Sequence, residues 1–181
     1  MKRYIITGAP GTGKTTLIDA LRNNNFYCFE EVSRRIIISE QQTNGNKTPW
    51  EDVVGFTDLV YEKTIEELKI PTPKTTFVDR GLPDNIAYLK LQNQIIDNQF
   101  LDFNYKQYYN TTVFILSPWK KIYVKDPQRL QSFEQTKKLH TLLLQTYKDL
   151  GFSIHFLPNS TLLERKQLII DIVNKESEIG F

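Results

Sequence analysis

Gly8-Ala9-Pro10-Gly11-Thr12-Gly13-Lys14-Thr15-Thr16 is the stretch of this chain whose residue types and spacing imply chemistry most directly. From Gly8 to Thr15 it fits G-x-x-x-x-G-K-[ST], a pattern that cradles phosphate. Gly8, Gly11 and Gly13 let the backbone bend where a Cβ would clash. The bend turns successive N–H groups inward around an anion. A helix starting near Lys14 adds the partial positive charge of its N-terminus. Lys14 is expected to reach the β- and γ-phosphates of a nucleoside triphosphate. The Thr15 hydroxyl is expected to ligate Mg²⁺, an ion that keeps most of its waters in such sites. A glycine-rich turn without a ligand would explain the glycines but not the Lys-Thr pair. The expected cofactors are therefore ATP and Mg²⁺, with Ala9, Pro10, Thr12 and Thr16 completing the nucleotide-binding loop.

Three further groups could act beside this loop. Thr75-Thr76-Phe77-Val78 reads as a strand ending in Asp79-Arg80-Gly81. Ligands of open α/β sheets bind at the carboxyl ends of strands, so Asp79 should face the same crevice. It can hold the Mg²⁺ shell or take a proton from an acceptor hydroxyl; capping of the next turn is the ordinary alternative. Arg80 can clamp a phosphate or carboxylate bidentately. After the second strand, Glu30-Glu31-Val32-Ser33-Arg34-Arg35 offers Glu31 and Arg34 as acceptor-holding groups, or as a solvated helix start. Residues 123–132 hold Lys125 and Arg129 in a polar, proline-containing segment. Such a segment suits a lid (120–132) carrying Arg129 onto a γ-phosphate, or a plain surface loop. Trp119 and Tyr123 would brace that lid or pack at its base. Asn159 follows the last strand and is a candidate base contact, with adenine preferred. His140 and His155 have no neighbouring ligand-type residues.

The elements that must position these groups are legible as alternation. Short apolar runs at 2–7, 26–30, 75–78, 112–116 and 153–157 read as strands. Helical spacing separates them. Leu17, Ile18 and Leu21 share one face. Val53, Phe56, Val60, Ile65 and Leu68 predict a long helix over 49–69, opened by a Thr48-Pro49-Trp50-Glu51 capping box. Phe133, His140, Leu143, Tyr147 and Leu150 predict another, capped by Ser132 with Gln135. Leu163, Leu168, Ile169, Ile172 and Val173 predict the last, capped by Thr161 with Glu164. Residues 41–47 read as a loop, and 93–110 as containing short helical pieces. The fold class is α/β, a three-layer α/β/α sandwich on a five-stranded parallel sheet.

Composition narrows the partners. At 181 residues and 40% hydrophobic, the chain is expected to form a single domain, 1–181. A net charge of +2 with mixed signs gives no electrostatic case for nucleic acid. Cys28 is the only cysteine, which excludes an intrachain disulfide and a Cys-rich zinc site. The first apolar run is too short for a signal peptide, and no run approaches a membrane span. The expectation is a cytoplasmic monomer or homodimer.

Taken with Glu31-Val32-Ser33-Arg34, Pro49-Trp50, Val78-Asp79-Arg80-Gly81-Leu82-Pro83-Asp84, Pro118-Trp119 and Gln131-Ser132-Phe133-Glu134, the loop gives the chain a resemblance. From about residue 3 to 173 it resembles the small predicted P-loop ATPases labelled "AAA domain". These are related to the ribosylnicotinamide kinase module of bifunctional NAD-biosynthesis regulators. The resemblance implies a P-loop kinase-like fold of nucleoside- and nucleotide-kinase type, with Asp79 as the strand-end acid and Arg80 as its basic neighbour. That pattern often carries a second basic residue beside the position of Arg129, where this chain has Leu130. Two functions are consistent with these readings. One is a kinase moving the γ-phosphate of ATP to a small-molecule acceptor, nucleoside- or nucleotide-like. The other is a nucleotide-dependent switch or binding module. Ser117-Pro118-Trp119 after the fourth strand is not the Asn-Lys-x-Asp guanine-reading tetrad.

Overall fold

Alternation along the first strand, β1 (Arg3–Gly8), divides the core. Ile5 belongs to one buried cluster, Tyr4 and Ile6 to another, as the two-residue period of a strand requires. The computed structural model describes residues 2–72, 74–123 and 131–179. After β1 the chain runs α1 (Lys14–Arg22), β2 (Tyr27–Phe29), α2 (Val32–Thr43), α3 (Val53–Leu68), β3 (Thr76–Asp79) and α4 (Pro83–Leu91). Then come α5 (Asn98–Leu101), α6 (Tyr105–Tyr108), β4 (Tyr109–Leu116), a 3₁₀ turn (Lys120–Ile122), α7 (Phe133–Asp149), β5 (Ser153–Leu157) and α8 (Leu162–Ile179). The strands form one sheet in the order β2-β3-β1-β4-β5, every neighbouring pair parallel.

Parallel strands need helical crossovers, and these cover both faces. One face packs Ile5, Val78, Val113 and Ile115 against α3, α4 and α7; the other packs Tyr4, Ile6, Phe77 and Phe114 against α1 and α8. A smaller cluster of Val32, Ile36, Phe56 and Val60 joins α2 to α3. Arg3, 4% exposed, donates to the carbonyls of Glu67, Leu68 and Ile70. It thereby satisfies the C-terminus of α3 from the foot of β1. No described helix is long and apolar enough to cross a membrane.

Several limits differ from the sequence reading, each for a local reason. Thr48 and Glu51 do form their reciprocal pair, but helix α3 starts at Val53. Asp52 is the cap, its carboxylate accepting from the Gly55 N–H at 2.9 Å. β4 begins at Tyr109, not at 112, because Tyr109 pairs with Arg3 through an irregular register; the polar Asn110-Thr111 step hides this start in the sequence. In α7 the buried face is Thr136, Leu139, Leu143 and Tyr147, with His140 at its margin. Leu163 is 66% exposed, so α8 packs through Ile169 and Val173. Cys28 lies on the edge strand β2, half-buried. The Ser132–Gln135 capping box and the Thr161–Glu164 pair both form.

Candidate functional site

Register places the groups. Ile6 pairs with Asp79 and Gly8 with Leu116, so the loop after β1 and the end of β3 open on the same edge of the sheet. Gly8 has φ +150°, and a Cβ there would lie 2.6 Å from the Leu116 carbonyl oxygen. Gly11 and Gly13 also have positive φ, +78° and +86°. α1 starts from Gly13 with no side-chain cap and no acid in its first turn, so its first N–H groups stay available to an anion. Thr12 fixes the loop from within, its hydroxyl donating to the Ala9 carbonyl at 2.9 Å.

Lys14 lies across this loop, 5% exposed, donating to the Gly8 and Ala9 carbonyls at 2.9 and 3.3 Å. Burial, then the nearby Arg80 cation, lowers its pKa from 10.5 to about 8. Asp79 is 4% exposed and its Oδ1 has no hydrogen-bond partner. Burial, then the Glu31 charge, raises its pKa from 3.8 to about 7, against the pull of Lys14 and Arg80. Thr15 and Thr16 are exposed along the cleft.

Arg80 is the hinge of the acidic side. It takes the left-handed conformation, φ 72°, which swings its guanidinium back toward the loop. It donates to Glu31 at 2.7 Å, to Asp84 at 2.9 Å and to the Gly8 carbonyl at 3.1 Å. Glu31 also accepts from the Ser33 hydroxyl, and Arg34 lies 3.7 Å from it. Burial works against the Glu31 charge, but Arg80, Lys14 and these hydrogen bonds hold its pKa at about 2. Sequence reasoning missed the part played by Asp84. It is 3% exposed and accepts from Thr7, Arg80 and Tyr147. This explains the Asp79-Arg80-Gly81-Leu82-Pro83-Asp84 run. Gly81 passes Ile5 where a Cβ would come to 2.6 Å, Pro83 opens α4, and Asp84 at its first turn receives Arg80.

A cleft of about 360 Å³ runs from residues 10–16 of the loop past Glu31, Arg34 and Arg80 to Ile37, Pro49, Phe56 and Tyr88. A separate small pocket of about 30 Å³ is lined by Asp79 and Arg80 together with Phe29, Val32, Phe56 and Tyr88. Of the expected site residues, Pro10, Gly11, Thr12, Gly13, Lys14, Thr15, Thr16, Glu31, Arg34 and Arg80 border the cleft, and Gly8 and Ala9 do not. Asp79 lies beside them, on a groove shared with Thr15, Glu31 and Arg34. Asn159 is exposed and outside the cleft lining. Arg129 and Lys125 lie outside the described residues, as does most of the expected lid. At the lid's described ends, Tyr123 sits over Gly11, packs on Phe133 and donates to the Gln131 carbonyl. Arg165, on α8, also lines the cleft. It has no motif around it, and nothing in the sequence singles it out.

The donor set suits Mg²⁺ held largely through water and phosphate. Thr15 offers a hydroxyl and Asp79 an unpartnered carboxylate oxygen, and no cluster of three or more His, Cys, Asp or Glu residues occurs among the described residues. Chemically, the arrangement sets a buried cation and an anion-seeking loop on one cleft, with a carboxyl of near-neutral pKa on the groove beside it.

Comparison with known proteins fits this architecture. No curated protein matches the chain in sequence. Deoxyadenosine kinase from M. mycoides, solved with the products dCMP and a flexible dCDP, superposes with a TM-score of 0.69 at 17% identity, covering 97% of this chain and 99% of that one. Thymidylate kinase from Candida albicans gives 0.66 at 15% identity, covering 97% and 92%. The NadR protein in complex with NR gives 0.62 at 20% identity, covering 96% of this chain and 50% of that one. Likeness at such identities carries the fold alone. The sequence itself matches the family model described as "AAA domain" over residues 3–165. With that match spanning the loop, the Asp79-Arg80 strand end and the five-stranded parallel sheet, the chain belongs to the AAA domain family, with a P-loop kinase-like NTPase fold.

Proposed function

We propose that this protein is a small-molecule kinase that transfers the γ-phosphoryl group of ATP to a hydroxyl of a nucleoside- or nucleotide-like acceptor. The observation that carries this reading is Asp79. It is a buried carboxyl with one oxygen unpartnered and a pKa near 7, beside Lys14 and the phosphate loop. A general base is most effective with a pKa near the working pH.

The loop N–H groups and Lys14 hold the triphosphate, and Lys14 exchanges its Gly8 and Ala9 carbonyls for phosphate oxygens. Thr15, with Asp79 acting through water, would hold Mg²⁺, which would supply positive charge to the transferring phosphoryl group. Ionised Asp79 accepts the acceptor's hydroxyl proton as that oxygen bonds to the γ-phosphorus. The bond from phosphorus to the β–γ bridging oxygen breaks, and ADP leaves with the electron pair. Arg129 is assigned to the transferring phosphoryl group. Glu31, Arg34 and Arg80 line the acceptor side, with Phe56 and Tyr88 supplying an apolar wall. Arg80 is already matched by Glu31 and Asp84, which favours an acceptor hydroxyl over an acceptor phosphate at that position. Adenine is the proposed base preference, with Asn159 as its contact.

The test pairs binding with turnover. ATP and GTP affinities are measured with and without a panel of nucleosides and nucleoside monophosphates, and transfer is followed for wild type and Asp79→Asn. The proposal expects acceptor-dependent ADP formation that Asp79→Asn removes while ATP binding persists. Slow hydrolysis that no acceptor changes would support a nucleotide switch instead.

A further inference from the structure

We propose that Arg165 is a fixed cationic contact for the triphosphate, reaching the phosphate loop from helix α8. This rests on the reading that the loop holds a nucleoside triphosphate. Among the described residues, three arginines are buried or nearly so around the sheet ends, and two are satisfied. Arg3 has three carbonyl acceptors, and Arg80 has two carboxylates.

Arg165 differs. It is 7% exposed, yet no carboxylate among the described residues lies within ion-pair distance. Its Nη1 donates to the Thr12 carbonyl at 3.3 Å, and its buried Nε has no partner. One face of the guanidinium packs on Trp119, 5.7 Å from the ring centroid. A Cβ on Gly13 would lie 3.3 Å from Nη1, so the guanidinium borders the residue from which α1 begins. It lines the same cleft as Lys14, Thr15 and Thr16.

A buried cation without a counter-charge is costly, and arginine cannot shed its proton to escape that cost. Its remaining N–H donors lie in the guanidinium plane, a fork that matches phosphate oxygens. With Trp119 on one face and Thr12 on one edge, the side chain is preorganised before ligand arrives. The contact sits on a long helix capped by Thr161 and Glu164, so it needs no lid movement.

The test is equilibrium binding of inorganic tripolyphosphate and of ATP, each with Mg²⁺, to wild type, Arg165→Gln and Arg165→Lys. Thermal unfolding of each protein without ligand is measured alongside. The proposal expects Arg165→Gln to weaken both ligands by the same factor, about 10–100-fold as for a lost hydrogen bond to a charged group, with Arg165→Lys in between. The ligand-free unfolding temperature should stay level or rise, because an unpaired buried charge has gone. Weaker ATP binding with tripolyphosphate unchanged would move Arg165 to the base or sugar and overturn the proposal. Unchanged affinities with a lower ligand-free unfolding temperature would make it a packing residue, also overturning it. If wild type binds neither ligand, the triphosphate reading fails together with this one.

Discussion

Asp79 sets the pH behaviour of the site. Its carboxyl keeps its proton up to about pH 7, whereas the unfolded chain releases it near 3.8. The native form therefore gains stability from this group below about pH 4, and that contribution is lost as pH rises to about 7. Asp79→Asn should accordingly raise the unfolding temperature at pH 8, by about 2–4 °C for each kcal/mol relieved. The same substitution should lower transfer by about 10²–10⁴-fold with ATP affinity largely kept; calorimetric scans and ADP release measure the two effects. Asp84 is the complementary case, an acid that should not be removed. Asp84→Ala would leave Arg80 half-paired and Thr7 and Tyr147 without their acceptor. A loss of about 3–5 kcal/mol is expected, read by denaturant titration.

At the scale of elements, the strand-loop-helix unit was legible because its constraints are local. The spacing of Gly8, Gly13, Lys14 and Thr15 is the geometry of the loop itself, and the 3.6-residue spacing of Leu17, Ile18 and Leu21 forms one buried face of α1. Gly8→Ala should disable this unit, since its Cβ would meet the backbone of β4 rather than a yielding side chain. A cost of about 3 kcal/mol or more is expected, seen as a fall in the unfolding temperature with loss of ATP binding. Long-range features were not legible. In the sequence Asp84 shows only as the end of the Val78-Asp79-Arg80-Gly81-Leu82-Pro83-Asp84 run, because two of its partners, Thr7 and Tyr147, are 77 and 63 residues away. Arg165 meets Thr12 across 153 residues. The start of α3 is hidden in the sequence because a real capping pair at Thr48–Glu51 precedes a second, shorter cap contact at Asp52.

Across the whole molecule, the parallel order β2-β3-β1-β4-β5 gathers the ends of β1 and β3 with the start of α2 on one edge. The strand-end groups thus form one electrostatic unit in which Lys14 must be charged and Asp79 ionised. The dependence of kcat/KM on pH should be a narrow bell, rising near 7 with Asp79 and falling near 8 as Lys14 loses its proton. Asp79→Asn should erase the rising limb. Phosphoryl transfer itself is measured by following the label from γ-³²P-ATP and Mg²⁺ into a fractionated metabolite extract, with Lys14→Ala as the blank. Label is expected in a new small molecule phosphorylated on a hydroxyl, absent from the blank. Label found only in free phosphate, at a rate the extract does not change, would contradict the kinase reading.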